Sequence, residues 1–449
     1  MISTVWLAGR GLMAHALPVL IAQLASVGMM VVDTVVLGHS GAEELAAVAI
    51  GGGIQVSIAF ALVGILQAVS PMVAHLAGAR RDAEVASVLQ HGLVLALVLA
   101  VPGVVFLLHP GALLSLVPME ASVEAKVRAY LAILAFGLPA TLCYRTFYAF
   151  SNALGKARVL MLIGIGNLAL HALLSWGFAL QGWLGDPLGA SGCALSNVLI
   201  SWLNCLVVIG LLQLGPLGRR YRPLTFWRPL RWPVWKEMLR LGVPMGASSF
   251  IEITAFTLIA LFIAPLGATV VAGHRIVANL SALTYMLPLS LGIATLAAVG
   301  HALGARDLAR ARATIFAGLG ISVVLSLLLA GVLWWGAEAI VALHTDDPVV
   351  RKVAVGLLIY VVIYQFFDAL QTIAGHVLRA YRVTFVPMLV QMFSFWGVGL
   401  GLGWWLCYHA SPAMGVEGFW WAAAASIVVV AALLGTMLVQ VVRSGENSP

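Results

Sequence analysis

Asp33, Glu252 and Asp368 are the three of this chain's 17 acidic residues that fall inside long apolar runs. An ionisable side chain at bilayer depth costs at least about 2.5–3.5 kcal/mol, so a functional role is its default reading. The bland alternative is a structural hydrogen bond between helices. At about 1.5 Å per helical residue, Glu252 lies roughly 22 Å and Asp368 roughly 16 Å above the basic end of its run. The two therefore share a layer of one half of the chain, and Asp33 lies in the other half. Two carboxylates facing each other in low dielectric cannot both stay charged unless a cation sits between them. A proton or Na+ would serve. Tyr364, Gln365 and Gln371 stand at i−4, i−3 and i+3 from Asp368, the spacings that share its helix face. Ser248 and Phe256 share the face of Glu252, and Asn279 and Tyr285 lie in the next run. Oxygen donors of this kind suit a hard cation.

The remaining polar residues in apolar surroundings say less. Arg145 and Arg275 stand near the ends of their runs, where snorkelling explains them. His15, His91, His171 and His274 are isolated in sequence, with no HExxH pattern, and read as core histidines rather than metal ligands. Phe385, Met388, Met392, Phe393, Phe395 and Trp396 would line an adaptable apolar cavity if they face one; at helical spacing they read equally as packing or lipid contacts. Cys143, Cys193, Cys205 and Cys407 are scattered and form no CxxC pair, which suggests neither a disulfide framework nor a zinc site. Without a Walker A motif no nucleotide drives the chain directly, and no cofactor is implied; active transport would need an ion gradient.

The elements that must hold these residues are membrane helices. Of 449 residues 62% are hydrophobic and 9% charged, against roughly 25% charge in soluble domains. A bilayer core of about 30 Å needs about 20 apolar helical residues. Twelve runs reach or approach that length, at 14–37, 46–74, 87–108, 127–150, 159–182, 190–213, 238–263, 270–299, 313–335, 353–378, 385–408 and 418–442. Stretches such as Ile427–Leu434 lack the period-2 alternation of barrel strands. The first run is too long for a cleavable signal and is expected to stay. Lys and Arg gather in every second loop, around Arg80, Lys156, Arg219–Arg240, Arg306 and Arg379. The positive-inside rule makes those loops and both termini cytoplasmic, and the net charge of +7 then belongs to the bilayer surface rather than to nucleic acid.

The chain also repeats itself. Pro18 and Pro244, Gly41 and Gly267, His75 and His301, and Gly78 and Gly304 all differ by 226 positions. That spacing divides the chain into an N-terminal lobe (1–214), a Pro-, Arg- and Trp-rich cytoplasmic linker (215–236) and a C-terminal lobe (237–449). Six spans per half make the repeats parallel, an arrangement that puts substrate between the halves. The matched Pro18 and Pro244 each remove a helix hydrogen bond and suggest paired bending.

Pro18 with Val32-Asp33-Thr34, the segment 241–256 around Glu252, the LPLSLGIA stretch (287–294) and Tyr364–Gln371 resemble the MATE (multidrug and toxic compound extrusion) family, closest to its NorM-like bacterial branch. The resemblance implies twelve helices in two six-helix lobes, a multi-pass protein of the bacterial inner membrane, and export of organic cations by antiport with Na+ or H+. It implies Glu252, Asp368, Asp33 and Tyr364 as the cation-coupling residues. Glu252, Asp368 and Tyr364 would be the Na+ ligands if sodium drives transport, while Asp33 would act on drug binding or gating. Gln365, Gln371, Ser248, Phe256, Asn279, Tyr285 and Met392 would face the substrate, and a monomer is expected. Arg275 departs from the branch, which usually carries Gln there, and that puts the usual substrate spectrum in doubt. Two other readings stay open. A lipid-linked saccharide flippase would want several basic residues in its cavity, and only Arg145 and Arg275 offer that. An intramembrane prenyl-transfer enzyme would need an Asp-rich Mg2+ motif, and the acidic pairs Glu43-Glu44 and Asp346-Asp347 have no partner motif.

Overall fold

The computed structural model describes residues 2–115, 119–221 and 229–444. Linker residues 222–228 lie outside these. Among the described residues there is no β-strand, and twelve helices are long and apolar enough to span a bilayer. They are α1 (Thr4–Gly38), α2 (Glu43–Gly78), α3 (Asp82–Leu108), α4 (Ala121–Ala153), α5 (Ala157–Ala179), α6 (Ala190–Leu214), α7 (Trp232–Leu266), α8 (Ala268–Gly304), α9 (Leu308–Ala342), α10 (Pro348–Ala380), α11 (Phe385–Tyr408) and α12 (Val416–Ser444). The helices run past the apolar windows that signal them. The 37 residues of α8 span about 55 Å, so its ends stand well clear of a 30 Å hydrocarbon core.

The repeat is visible in backbone conformation as well as in residue type. Gly41 and Gly267 open α2 and α8 with φ of 127° and 107°, values a side chain would strain against. At the other end of the same helices Arg80 and Arg306 take left-handed φ of 58° and 59°. The Arg81 N–H donates to Leu76 O and the Arg80 N–H to Ala77 O; Asp307 to Ala302 and Arg306 to Leu303 repeat both bonds. This is the Schellman termination. Gly155 closes α4 and Arg382 closes α10 with the same pair of bonds, at φ of 70° and 62°. Three of the four caps use arginine where glycine would be unstrained, at about 1–2 kcal/mol each.

By internal packing the chain forms two compact units. One comprises Met1–Leu17 with Ala247–Pro449, the other Pro18–Gly246. The divisions fall inside α1, immediately before Pro18, and inside α7, two residues after Pro244. The lobe limits drawn from the repeat, at the 215–236 linker, follow the order of spans; packing assigns the first part of α7 to the unit of α2–α6.

In that unit a core of Phe147, Phe150, Leu89, Leu131 and Met238 is almost fully buried. The first part of α7 is tied in by backbone approach. A Cβ on Gly242 would stand 2.2 Å from Ile65 O, and one on Gly64 would stand 2.4 Å from Gly246 Cα. The Gly242–Gly246 spacing is the small-xxx-small pattern by which membrane helices approach closely. His91, fully buried on α3, accepts the Arg231 N–H at Nε2 (2.8 Å), and its backbone carbonyl accepts the Trp235 indole N–H (3.2 Å). In the other unit α10 packs against α8, α9 and α12. Asp347 caps α10 by accepting the Val349 N–H at 2.8 Å, with Pro348 in the first turn. Phe393–Leu402 of α11 is wound as a π-helix.

Candidate functional site

The unit Met1–Leu17 with Ala247–Pro449 gathers the first site from α7, α8 and α10. Asp368 is buried near the middle of α10, and its Oδ1 accepts a hydrogen bond from Gln371 Nε2 at 3.0 Å. The same nitrogen lies 3.2 Å from Thr372 Oγ1. Glu252, half-buried on α7, stands close enough to Asp368 for the two charges to act on each other. Tyr364, one turn before Asp368, is buried and in charge range of both acids. Its ring meets Phe256 edge-on, with centroids 6.2 Å apart. Ser248, a turn before Glu252 on α7, is buried too.

Two participants were undervalued or missed from sequence. Tyr285 on α8 stands beside Glu252 and Thr372 and lies in the field of both acids. Arg379 reads in sequence as a cytoplasmic flank, yet its charge reaches Glu252 and Tyr285. Eleven residues separate it from Asp368, three turns that return to one face of α10. Only that count could have signalled it.

The other residues singled out from the sequence make no hydrogen bond to Glu252 or Asp368 among the described residues. Gln365 turns from Asp368 to α8, where its Oε1 accepts the Thr284 hydroxyl at 2.8 Å and its Nε2 lies 3.4 Å from Thr284 O. Asn279 on α8 and Met392 on α11 are exposed, with no hydrogen bond to the acids. Arg275 is exposed as well. Arg145 is half-buried with its guanidinium 5.7 Å from the Tyr148 ring centroid, so it stacks as well as snorkels.

Asp33 belongs to the second unit and has a partner that sequence did not reveal. His171, read as an isolated core histidine, is fully buried and places Nε2 2.8 Å from Asp33 Oδ1. Its Nδ1 lies 2.9 Å from Ser196 Oγ, and Ser175 Oγ stands 3.4–3.5 Å from the ring nitrogens. The pair is 138 positions apart in sequence, so no local pattern could show it.

Among the described residues no group of three His, Cys, Asp or Glu side chains could hold a metal ion. Two acids with hydroxyls and an amide around them, and the single cation Arg379 in range of Glu252, retain a net negative charge that suits a transient hard cation, a proton, or an organic cation held by charge.

Comparison with known proteins identifies the family. A MatE family profile matches residues 18–176 and 244–405. A "Probable multidrug resistance protein NorM" of Aromatoleum aromaticum is 49% identical over 99% of this chain and 96% of its own length. A "Multidrug resistance protein NorM" of Vibrio vulnificus is 34% identical over 94% of this chain and 93% of its own. The crystal structure of the Vibrio cholerae MATE transporter VcmN in its bent form superposes with a TM-score of 0.88, covering 99% of both chains at 17% identity. The chain belongs to the MatE family, on its NorM-like branch, and is a membrane transporter rather than an enzyme.

Proposed function

We propose that this protein is a secondary active multidrug efflux transporter that exports organic cations by antiport with Na+ or H+. The observation that carries the reading is the Glu252–Asp368 pair, two acids sharing one apolar layer with Tyr285, Tyr364 and Gln371 around them. Two like charges so placed are relieved by one cation. A filled site and an empty site then differ in charge, and that difference can bias a conformational equilibrium. An organic cation is drawn by the same charge, so the drug and the coupling ion compete. Linkage requires each to weaken the other by the same factor. NorM relatives bear the name of multidrug resistance proteins, which supports a broad substrate range. The alternation of basic loops supports a reading in which both termini lie in the cytoplasm, the membrane is a bacterial inner membrane and the coupling carboxylates work within one monomer.

A flippase for lipid-linked saccharides is disfavoured by the charge of the site, since a pyrophosphate would be repelled by both acids. The test is dye uptake into inverted vesicles, first under an imposed Na+ gradient and then under a pH gradient alone. Uptake that follows either gradient supports antiport and names the ion. Indifference to both would end the proposal.

A further inference from the structure

We infer that the first helix of each repeat carries a docking stripe for an anionic phospholipid of the cytoplasmic leaflet, built on Trp6 and Arg10 in α1 and on Trp232, Lys236 and Arg240 in α7. The choice of leaflet rests on the proposed cytoplasmic placement of both helix starts; nothing in the inference rests on antiport. Trp6 and Trp232, Arg10 and Lys236, and Leu17 and Val243 each stand 226 positions apart, the spacing of the repeat. In both helices the three lie at i, i+4 and i+11, so they run along one face. That face is open in each. Trp6 is 60% and Trp232 65% exposed, Leu17 is 55% and Val243 49%, and Arg10, Lys236 and Arg240 are exposed as well. The packed side of each helix is another one. In α1 it presents Leu12 and Ala16, buried in the unit Met1–Leu17 with Ala247–Pro449. In α7 it presents Met238 and Leu241, buried in the unit Pro18–Gly246, with the Trp235 indole held by the His91 carbonyl at 3.2 Å.

The chemistry along each stripe suits a phospholipid rather than a soluble anion. Eleven helical residues rise about 16 Å, close to half of a hydrocarbon core of about 30 Å. Each stripe starts on an indole, a group that settles at headgroup depth. It then passes a cation and ends on exposed apolar side chains, Met13 and Leu17 in α1 and Val243 in α7. A lipid phosphate meets the cation while its acyl chain covers the apolar part; a free anion would leave that part bare. Arg10 is held ready, its Cζ 4.9 Å from the Trp6 ring centroid. Stacking occupies the flat face of a guanidinium and leaves its N–H edge for phosphate oxygens, which it can grip in pairs. The local charge is one-sided. α1 carries no acid before Asp33, and α7 carries only the half-buried Glu237 before Glu252. Among the described residues no carboxylate pairs with Arg10, Lys236 or Arg240. Arg220, by contrast, is taken by Asp82 at 3.0 Å. Pro18 and Pro244 each follow the cation by eight residues, so a lipid docked there holds the part of the helix that precedes its proline.

The test counts lipid directly. Full-length protein is exchanged into micelles holding phosphatidylglycerol and phosphatidylcholine in equal amounts, and retained lipids are counted by native mass spectrometry. The wild type is expected to keep two phosphatidylglycerol molecules after phosphatidylcholine has been stripped. Arg10→Gln should weaken retention of one of them, and Lys236→Gln combined with Arg240→Gln that of the other, by roughly fivefold per cation removed. Lys156→Gln, at an exposed cation outside both stripes, should keep both. Arg10→Lys serves if Arg10→Gln fails to insert; it keeps the charge, loses the planar fork, and should hold phosphatidylglycerol several-fold less well. Equal retention of the two lipids by the wild type, or stripe variants that lose no more than Lys156→Gln, would overturn the inference. So would displacement of the lipid by inorganic phosphate, which would assign the cations to a soluble anion. The count depends neither on transport nor on which way the chain faces, so it is decided apart from the antiport reading and from the topology.

Discussion

Glu252 and Asp368 matter as a pair, and their variants should show it. Glu252→Gln keeps shape and removes one charge. Gradient-driven efflux is expected to fall at least tenfold, about 1.4 kcal/mol of lost driving interaction, with insertion and expression unchanged. Asp368→Asn should do the same, and the double variant should be little worse than either, since residues sharing one ligand are not additive. Efflux rates in proteoliposomes decide it; two single variants that pump normally would remove the pair from the mechanism. Tyr285 gives a finer test. It lies in the field of both acids, and a hydroxyl that hydrogen-bonds a charged group contributes about 1.5–3 kcal/mol. Tyr285→Phe should therefore change the Na+ or proton concentration that displaces tetraphenylphosphonium by tenfold or more. Unaltered displacement would leave Tyr285 as packing.

Helix ends and helix crossings set what these residues can do. The packing division inside α1 falls at Pro18 and that inside α7 just past Pro244, each beside a proline that removes a ladder bond. Pro18→Ala should slow efflux several-fold while leaving equilibrium binding of tetraphenylphosphonium within about twofold, the pattern of a lost conformational step. Equal loss in both, or none in either, would make the bend structural only. The crossing of α2 and α7 is less forgiving. A methyl on Gly242 would press on the Ile65 carbonyl at 2.2 Å, backbone that cannot swing aside. Gly242→Ala should cost roughly 1–3 kcal/mol, seen as a lower melting temperature in detergent. Gly320→Ala on α9, with nothing within 4 Å of the new methyl, is the control and should be neutral or slightly stabilising.

At the scale of the whole molecule the open question is which way the chain faces. Twelve spans with basic loops at alternate joints predict Lys156 in the cytoplasm and Asp186 outside. Both side chains are exposed. In a background with Cys143, Cys193, Cys205 and Cys407 replaced, Asp186→Cys should react with an impermeant thiol reagent in intact cells, and Lys156→Cys should react only after lysis. The opposite pattern would invert the topology and with it the direction of export.

The sequence by itself determined the class of this protein. Apolar runs of bilayer length can be satisfied in lipid only by helices, so twelve runs meant twelve helices, and the spacing of 226 residues meant a repeated half. Even the caps were latent in it, since Gly41 and Gly267 stand where φ must be positive and Arg80 and Arg306 stand at one shared termination. Three acids inside apolar runs could be singled out because charge there is costly wherever the helix packs. What surrounds those acids could be read only along the same helix. Gln371 was found at i+3 and does bond Asp368, whereas Gln365 at i−3 was assigned to the same group and instead turns to Thr284 on α8. Partners from other helices stayed invisible. His171 meets Asp33 across 138 residues, and Arg379 reaches Glu252 from a helix more than a hundred residues later. Hydropathy fixes that a segment crosses the membrane but not how it is rotated about its own axis. That rotation is set by interlocking side chains and by glycine contacts such as Gly242 on Ile65, and these exist only once the helices are packed.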